Sequence, residues 1–303
     1  MRLGTRGSAL ALAQATLVRE RLEGLGADVE LVAIKTSGDE RAARSRAPEI
    51  ADKARFVKEI EDALLRGDID LAVHSAKDVP TRLPDGLAIV GVPERADPRD
   101  ALCGAPSLEA LSDGAVVGTA SLRRRSQLLA TRPELDVREL RGNVDTRLRR
   151  LAEGDYDALV LAAAGLVRLG RLEGRPIPAA TMTPAPGQGC LALEARAGDE
   201  ASAALADGLT DRSSLVELTA ERAVVESLEA TCRTPMGAHA RLRDGELCLD
   251  AFAGMPDGGT WIRDSLSGDA AEPAALGRAV AERMLAAGAG ALLDAGEGAP
   301  RPG

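Results

Sequence analysis

The first hundred residues alternate short apolar runs with a helical pattern of apolar positions. Residues 2–5 and 29–34 are predicted strands. The apolar positions between them recur at helical spacing, which predicts a helix over 8–24 with Ser8 as its N-cap. This order forms a strand–helix–strand unit, in which Arg6 follows the carboxyl end of the first strand.

A polar stretch interrupts the pattern over residues 36–55. It mixes charges of both signs, has no periodicity and is long for an internal connection. The stretch predicts a mobile lid, and a plain disordered loop is the alternative. A helix over 56–66 and a buried strand over 69–73 follow, and the strand leads into the polar segment that begins at His74.

Two short motifs occur twice in the chain, in the same order. They are Gly4-Thr5-x-x-Ser8 with Gly118-Thr119-Ala120-Ser121, and Gly67-Asp68-Ile69-Asp70 with Gly154-Asp155-Tyr156-Asp157. The motifs lie 63 residues apart in the first copy and 36 in the second, and the difference is roughly the length of the polar stretch. A weak repeat of this kind predicts two similar domains.

The predicted fold class is α/β, with two similar doubly wound domains around a cleft and a smaller C-terminal α+β domain. The first domain comprises 1–92 and 190–208, the second 97–186 and the third 212–303. Ligands of doubly wound sheets bind beyond the carboxyl ends of the strands, so the cleft is the expected site. The first two domains resemble periplasmic binding proteins in this arrangement.

The pattern changes after residue 211. It predicts a helix over 213–229, a loop that contains Cys232, two strands joined at 256–259 and a final helix near 273–287. The tail from Gly296 onward is rich in glycine and proline and is expected to fray.

The composition narrows the functional classes. The chain has 303 residues and a formal net charge of -9, with two Phe, one Tyr and one Trp. Nucleic-acid binding needs a basic face and stacking aromatics, and both are scarce here, so the arginines are expected to serve a small anion. No apolar stretch predicts a membrane span. Cysteines at 103, 190, 232 and 248 form no C-x-x-C pair, which indicates reduced thiols and neither a zinc site nor a disulfide framework.

Arginines are concentrated between residues 119 and 150. This segment contains nine arginines and four acidic residues, so its net charge is +5 although the whole chain is acidic. The strand 116–118 ends at a glycine turn, Ser121 can cap a helix, and Arg123 and Arg124 follow. A helix N-terminus beside guanidinium groups is suited to carboxylates or phosphates. The alternative is a solvated basic helix face.

Two more arginine segments repeat this logic. In Arg141-Gly142-Asn143-Val144-Asp145-Thr146-Arg147, the glycine permits close approach, and Asn143 or Thr146 can cap the helix that begins there. Arg168 follows the predicted strand 158–161 and lies near the same edge if the repeat holds. Its alternative interpretation is an arginine on a helix surface.

Two other residues are suited to chemistry. Asp78 follows Lys77 just beyond a buried strand, where a carboxylate can stabilise a cationic intermediate and exchange protons with a substrate. The alternative for Asp78 is a surface loop residue. Cys232 lies in a turn-prone loop beside Arg233, which favours the thiolate, whereas the other three cysteines fit core roles.

The chain resembles the porphobilinogen deaminase family over nearly its full length. The resemblance rests on several motifs in order. These are Arg2-Leu3-Gly4-Thr5-Arg6-Gly7-Ser8-Ala9-Leu10-Ala11, Val73-His74-Ser75-Ala76-Lys77-Asp78-Val79-Pro80, Gly118-Thr119-Ala120-Ser121-Leu122-Arg123-Arg124, Leu140-Arg141-Gly142-Asn143-Val144-Asp145-Thr146-Arg147, Ala164-Gly165-Leu166-Val167-Arg168-Leu169-Gly170, Gly187-Gln188-Gly189 and the Cys232 loop.

The resemblance implies a cytoplasmic, monomeric transferase of tetrapyrrole biosynthesis. Such an enzyme links four porphobilinogen molecules head to tail, expels ammonia each time and releases hydroxymethylbilane by hydrolysis. It also implies a dipyrromethane primer attached by a thioether to Cys232. Each porphobilinogen carries an acetate and a propionate, so the growing chain gains two carboxylates per ring and needs many cationic partners.

The family pattern also implies roles for single residues. Asp78 is the catalytic residue, which faces the pyrrole nitrogens and stabilises the cation formed as ammonia leaves. The residues implied to bind the primer are Cys232, Lys77, Asp78, Ser75, Thr119, Ser121, Arg123, Arg124, Arg147 and Gly189. Those implied to bind the substrate are Arg6, Ser8, Arg141 and Arg168. Arg125 adds a third arginine to which the pattern assigns no role.

Two other classes of protein remain as alternatives. Two α/β domains around an arginine-lined cleft also describe solute-binding proteins, which would require neither Asp78 nor Cys232. A DNA-binding regulator that uses the arginine run would bind duplex DNA with an affinity that falls steeply with salt. The acidic pI argues against a DNA-binding role.

Overall fold

The computed structural model describes residues 1–34, 53–231 and 234–298. Nearly all of the predicted lid, as well as Cys232, lies outside these residues. The chain divides into two compact units, Met1–Ala96 with Cys190–Leu215 and Asp97–Gly189 with Val216–Gly303. The boundaries of the three predicted domains stay a prediction.

The helices and strands follow one another in mixed order along the chain. They are β1 Arg2–Arg6, α1 Ala9–Gly24, β2 Glu30–Ile34, α2 Lys53–Arg66, β3 Leu71–Ser75, a 3-10 turn Ala76–Asp78, β4 Leu87–Gly91, β5 Asp100–Cys103, β6 Val116–Gly118, α3 Leu122–Thr131, β7 Asp136–Arg138, α4 Val144–Ala152, β8 Ala158–Ala162, α5 Ala163–Arg168, β9 Gly174–Pro176, β10 Leu191–Arg196, α6 Glu200–Asp207, α7 Arg212–Ser227, β11 Met236–Arg243, β12 Glu246–Gly254, β13 Trp261–Asp269, α8 Pro273–Ala286 and α9 Ala289–Gly298.

The first unit is built on a mixed sheet with strand order β2-β1-β3-β10-β4. Strands β1, β2 and β3 run parallel, and β10 pairs antiparallel with β3 and β4. The strands are apolar on both faces because α1 and α6 cover one side and α2 the other. The carboxyl ends of the three parallel strands therefore share one edge, where Arg6 and Ser75 lie.

The second unit contains a sheet with the same plan, in the order β7-β6-β8-β5-β9. Strands β6, β7 and β8 are parallel, and β5 pairs antiparallel with β8 and β9. The two sheets match strand for strand in order and direction, which confirms the predicted fold class of two similar α/β halves.

The repeated motifs occupy equivalent places in the two sheets. The Arg2 amide donates to Asp70 Oδ2 at 2.7 Å, and the Val116 amide donates to Asp157 Oδ2, also at 2.7 Å. In both halves an aspartate that precedes the third parallel strand thus anchors the start of the first. The repeat found in the sequence is therefore a structural repeat.

The repeated glycines leave room for apolar side chains that lie on, or next to, the neighbouring strand of the same sheet. A Cβ atom on Gly4 would lie 2.2 Å from Ile69 Cδ1, and one on Gly118 would lie 2.7 Å from Leu159 Cδ2. Both distances are far below van der Waals contact, so any larger residue would force the neighbouring side chains to move.

A third sheet, β11-β12-β13, is entirely antiparallel and belongs to the second unit. It packs against α7, α8 and α9 around a core that includes Val224, Leu249 and Val280. The predicted pair of strands joined at 256–259 is present as β12 and β13. The sequence prediction missed β11, which forms a hairpin with β12 over Asp244-Gly245. Both turn residues have positive φ, at 51° and 86°, as expected of the Asp-Gly dipeptide at a tight hairpin.

Smaller differences concern element ends. Strand β3 runs over Leu71–Ser75 rather than 69–73, so His74 and Ser75 belong to the strand. Helix α2 begins at Lys53, three residues before the predicted start. Helix α9 reaches Gly298, where the sequence predicts a frayed tail. Within the described part of the chain, no helix has both the length and the apolar character that crossing a membrane requires.

Candidate active site

The carboxyl edge of the first sheet gathers several of the predicted residues. Arg6 ends β1, and Ser8 caps α1 by accepting a hydrogen bond from the Ala11 amide at 3.3 Å. Ser75 ends β3, and its Oγ lies 3.0 Å from Nε2 of Gln14 on α1. Strand ends and a helix N-terminus thus place these side chains along one edge.

Lys77 and Asp78 lie in the 3-10 turn that follows β3, and both side chains are half-buried. The turn is held at both ends. The Ala76 amide donates to Cys190 O at 3.1 Å, and the Val79 amide donates to Ala76 O at 3.2 Å. The backbone beneath Asp78 is therefore fixed to the start of β10.

In the second unit, α3 begins just beyond β6 with Ser121 as its N-cap. Ser121 Oγ accepts from the Arg124 amide at 3.4 Å, and Thr119 Oγ1 accepts from the Ser121 amide at 3.2 Å. The Thr119 amide donates to Arg138 O, which ties the turn to the neighbouring strand β7. As predicted, Ser121 caps the helix that carries the arginine run.

Arg123 and Arg124 are buried, with 4% and 7% exposure. Both bind Asp100, the first residue of β5, which is completely buried. Arg123 Nη1 lies 2.7 Å from Asp100 Oδ2, and Arg124 Nε and Nη2 lie 2.9 and 2.8 Å from Oδ1. Arg123 Nη1 also donates to Thr183 O at 2.6 Å, and Arg124 Nη1 donates to Val160 O at 2.9 Å. The two guanidinium groups are therefore held rigidly.

Burial and neighbouring charges shift the pKa values in this cluster. Burial alone would raise the pKa of Asp100, but attraction to Arg123 and Arg124 holds it below the ordinary carboxyl value. Burial lowers the pKa of Arg124. Burial, together with repulsion from Arg124, lowers the pKa of Arg147 to about 10. Among the described residues, three guanidinium groups interact here with one buried carboxylate, and this excess of positive charge favours the binding of anions.

Arg147 is itself oriented by the start of its helix. Asn143 caps α4 by accepting from the Thr146 amide at 2.9 Å, and Arg147 Nε donates to Gly142 O at 2.8 Å. Of the two predicted candidates for this cap, Asn143 is the one used. The cap and the glycine carbonyl together direct the Arg147 guanidinium back along the first turn of α4.

The remaining predicted residues of this unit lie at the same end of its sheet. Arg168 ends α5, the helix directly after β8, and its Nη2 donates to Gly189 O at 2.7 Å. Arg141 follows β7 and pairs with Glu139, with Nε 2.9 Å from Oε1. Arg141 is exposed, so it contributes a solvated charge rather than a buried one.

Arg125, to which the motif assigns no role, anchors the helix to the sheet. Its Nη1 donates to Val137 O on β7. Other arginines of the basic stretch pair with nearby acidic residues at the surface. These pairs are Arg138 with Asp136, Arg149 with Glu153 and Arg150 with Asp155. The stretch therefore contains both a buried cationic cluster and a solvated face, so each of the two interpretations describes part of it.

A second buried cluster of titratable groups lies beneath the edge of the first sheet. His74 Nε2 lies 2.9 Å from Glu194 Oε2, and Glu61 of α2 is buried beside them. Burial and the neighbouring Glu194 raise the pKa of Glu61 to about 7. The sequence interpretation missed this cluster and Asp100 alike, because each brings together residues far apart in the chain.

The described cysteines differ in environment. Cys103 and Cys190 are buried, and burial raises the pKa of the Cys103 thiol to about 11. Cys248 is half-buried on β12, near Ser267 Oγ at 3.2 Å. Burial and a raised pKa make Cys103 a poor nucleophile, as its predicted core role requires.

Family models match most of the chain. The model described as porphobilinogen deaminase, dipyromethane cofactor binding domain, matches residues 1–204. The model described as porphobilinogen deaminase, C-terminal domain, matches residues 215–286. The first range contains both α/β sheets, and the second contains the third sheet with α8 and most of α7.

Curated relatives match along nearly the whole chain. Porphobilinogen deaminase of Thermus thermophilus is 48% identical over 299 residues, covering 96% of this chain and 97% of that protein. The same enzyme of Brevibacillus brevis is 45% identical over 300 residues, covering 96% of each. A similar solved structure is a periplasmic substrate-binding protein of an ABC transporter from Coxiella burnetii, with 16% identity, a TM-score of 0.43 and coverage of 71% and 94%. From the family models and the curated relatives, the chain belongs to the porphobilinogen deaminase family.

Proposed function

We propose that this chain is a transferase that joins four porphobilinogen molecules, releases one ammonia for each, and frees the product hydroxymethylbilane from its primer by hydrolysis with one water. Its primer is a dipyrromethane bound by a thioether to Cys232. This reaction is a step of tetrapyrrole biosynthesis. Cys232 lies outside the described residues, so support for the attachment comes from the sequence motif and from the family.

The observation that carries the proposal is the cationic cluster of Arg123, Arg124 and Arg147 which, within the described residues, surrounds the buried carboxylate of Asp100. Porphobilinogen and the primer bring two carboxylates for every ring. The donors present fit such a guest, because planar guanidinium groups bind carboxylates with paired hydrogen bonds. A hydrogen bond to a charged group contributes about 1.5–3 kcal/mol, so a few of them hold a flexible polyanion.

The residues of the second unit bind and orient the primer. Arg123, Arg124 and Arg147 bind its carboxylates. Thr119 and Ser121 add hydroxyl donors at the N-terminus of α3, where the helix dipole also favours an anion. Gly189 lets the backbone approach closely, since its φ is +92°. When bound, the dipyrromethane supplies the pyrrole carbon to which the first substrate is joined.

Four arginine and serine side chains are assigned to the incoming substrate. Arg6 and Ser8 lie on the edge of the first sheet, and Arg141 and Arg168 lie on the edge of the second. Cations and hydroxyl groups there bind the acetate and propionate, which orients the aminomethyl carbon for reaction. Ser75 and Lys77 assist in holding the primer.

Asp78 acts on the charge that develops during the reaction. The bond between the aminomethyl carbon of porphobilinogen and its nitrogen breaks, and ammonia leaves. The positive charge then spreads over the pyrrole ring and its nitrogen. The half-buried carboxylate of Asp78 stabilises this cation, and a fixed charge in a partly dry site is effective because little reorganisation is needed. The free carbon of the terminal ring of the bound chain then forms a carbon–carbon bond to this carbon. The terminal ring loses the proton from its attacking carbon.

Two measurements test the proposal. Purified protein should convert porphobilinogen to hydroxymethylbilane with four ammonia per product. Its intact mass should exceed that of the chain by two linked pyrroles, and the excess should localise to the peptide containing Cys232. An unmodified chain without turnover would favour the solute-binding alternative.

A matched pair of variants tests the arginine site. Arg147→Gln removes a half-buried guanidinium, and we expect the primer-loaded fraction to fall about tenfold or more. Arg149→Gln, two residues further along the same helix, removes only an exposed pair with Glu153 and should load like the wild type. Equal loading of the two variants would count against the assigned site.

A further inference from the structure

Asp100 occupies the centre of the arginine cluster, yet neither the repeat nor the motifs point to it. It is the first residue of β5 and has 0% exposure. Its carboxylate accepts from two guanidinium groups and from Gln188 Nε2, which lies 2.9 Å from Oδ1. Gln188 in turn donates to Pro98 O at 2.7 Å. Both oxygens of the carboxylate thus accept from donors whose direction is fixed.

The contacts of the arginines show what Asp100 achieves. Arg123 is held between Asp100 and the carbonyl of Thr183, and Arg124 between Asp100 and the carbonyl of Val160. A guanidinium group is planar with five N–H donors in a rigid fork. Two fixed contacts therefore determine the plane of the group and the directions in which its other N–H donors point.

Further hydrogen bonds position the Thr183 carbonyl that accepts from Arg123. Gln127 Nε2 donates to Thr183 O at 3.1 Å, and Gln127 Oε1 accepts from the Thr183 amide at 2.7 Å. Arg263 of β13 donates to Gln127 Oε1 at 3.2 Å and stacks over Phe252, with 5.3 Å to the ring centroid. The carbonyl that receives Arg123 is therefore itself positioned by buried hydrogen bonds.

The number of buried carboxylates sets the net charge of the arginine cluster. Without Asp100, two buried guanidinium groups would repel each other with no compensating charge. With a second carboxylate the cluster would approach neutrality and would lose its attraction for an anionic guest. A single shared carboxylate holds both forks and still leaves an excess of positive charge, to which Arg147 adds.

We propose that Asp100 is a positioning residue, which orients the Arg123 and Arg124 guanidinium groups so that their remaining N–H donors meet the carboxylates of the bound pyrrole chain. This inference rests on the proposed function, because it assumes that the arginines bind that chain. Asp100 touches neither primer nor substrate, and its effect is transmitted through the two forks. If the Arg123 and Arg124 guanidinium groups are displaced, the bound pyrrole ring that reacts is displaced with them, while the substrate-binding residues stay in place.

The test is the steady-state kinetics of primer-loaded Asp100→Asn, with rates expressed per loaded molecule from intact mass. The amide keeps the shape of the side chain but turns one acceptor into a donor that faces a guanidinium group. We expect kcat to fall about tenfold or more with KM changed less than about threefold, since a displacement of 1 Å can lower a rate about 10²-fold. The control is Asp97→Asn, three residues earlier, which breaks the ion pair with Arg99 and should leave kcat within about twofold.

A merely structural role predicts a different result. Asp100→Asn would then lower the yield or the thermal midpoint, but each folded, loaded molecule would turn over at the wild-type kcat, and that outcome overturns the proposal. If Asp100→Asn yields no folded protein, Gln188→Met removes one support of the same carboxylate. A kcat lowered about threefold supports the proposal, and an unchanged kcat overturns it.

Arg124→Lys separates this inference from the proposed function. The variant retains the charge but loses the fork. If Arg124→Lys loads and turns over normally, the arginine assignment in the proposed function fails. If Arg124→Lys is impaired and Asp100→Asn is not, the arginine assignment stands and only the positioning role of Asp100 fails.

Discussion

The buried cluster of Glu61, His74 and Glu194 predicts a pH-dependent stability of the first unit. Two carboxylates and one imidazole lie out of water, with His74 Nε2 2.9 Å from Glu194 Oε2. Lys58 and Asp62, one helical turn before and one residue after Glu61, add weaker charges of opposite sign. Two buried carboxylates side by side favour retention of a proton, because like charges at short range in a dry environment repel strongly.

The direction of the effect follows from the pKa of Glu61. Burial and Glu194 raise this pKa from its ordinary value of 4.5 to about 7 in the folded chain. Well below pH 4.5 both the folded and the unfolded chain hold the proton, so the folded state loses nothing. Between pH 4.5 and 7 only the folded chain holds it, so stability falls as the pH rises. Integrated from about pH 5 to about pH 8, the loss is about 2.5 kcal/mol.

Glu61→Gln replaces the protonated acid by a neutral group of nearly the same shape. Between about pH 5 and about pH 8, we expect the free energy of unfolding of the wild type to fall by about 2.5 kcal/mol more than that of Glu61→Gln. Urea unfolding at each pH unit, followed by circular dichroism, measures the difference. Glu20→Gln removes an exposed carboxylate of α1 and should keep the wild-type slope.

Parallel curves for the wild type and Glu61→Gln over this range would refute the reasoning. They would show that Glu61 titrates like a solvated glutamate and that the cluster holds no extra proton. The prediction matters for the site because α2 packs against β3, the strand that leads into Lys77 and Asp78.

Three further predictions concern catalysis, attachment and packing. Asp78→Ala should retain the fold and a bound primer but lower kcat about 10²-fold or more, since it removes the charge that stabilises the cation; near-normal steady-state turnover would contradict its role. Cys232→Ser should give protein whose intact mass shows no pyrrole, and retained covalent pyrrole would move the attachment to another residue. Gly258→Ala should lower the stability by about 2–4 kcal/mol in a thermal melt, because φ is +75° and the added Cβ would lie 2.4 Å from the Ala130 amide nitrogen. Gly114→Ala is its control, with φ of +77° and open space around the Cβ, and it should lose only about 1 kcal/mol; equal losses would show that the close contact has no effect.

The sequence indicated the functional residues best where the signal was local. Ser8 and Ser121 were predicted as helix caps, and each accepts the expected backbone hydrogen bond. The Asp244-Gly245 dipeptide is a strong local signal as well, but the two strands predicted for the third sheet did not take it into account, so one strand was missed. The roles assigned to the site residues stay predictions that mutagenesis can decide.

Sequence alone determined the opening strand–helix–strand unit, the strands near 116 and 158 and the internal repeat, because hydrophobic periodicity, caps and turns act between residues only a few positions apart. Only the tertiary structure decided which arginines are buried. Arg123 and Arg125 are two positions apart on one helix, yet one meets Asp100 and the other meets the backbone of β7. Asp100 lies 23 residues before Arg123 and 88 before Gln188. Burial and the pairing of charges depend on such distant contacts, which only the packed fold brings together.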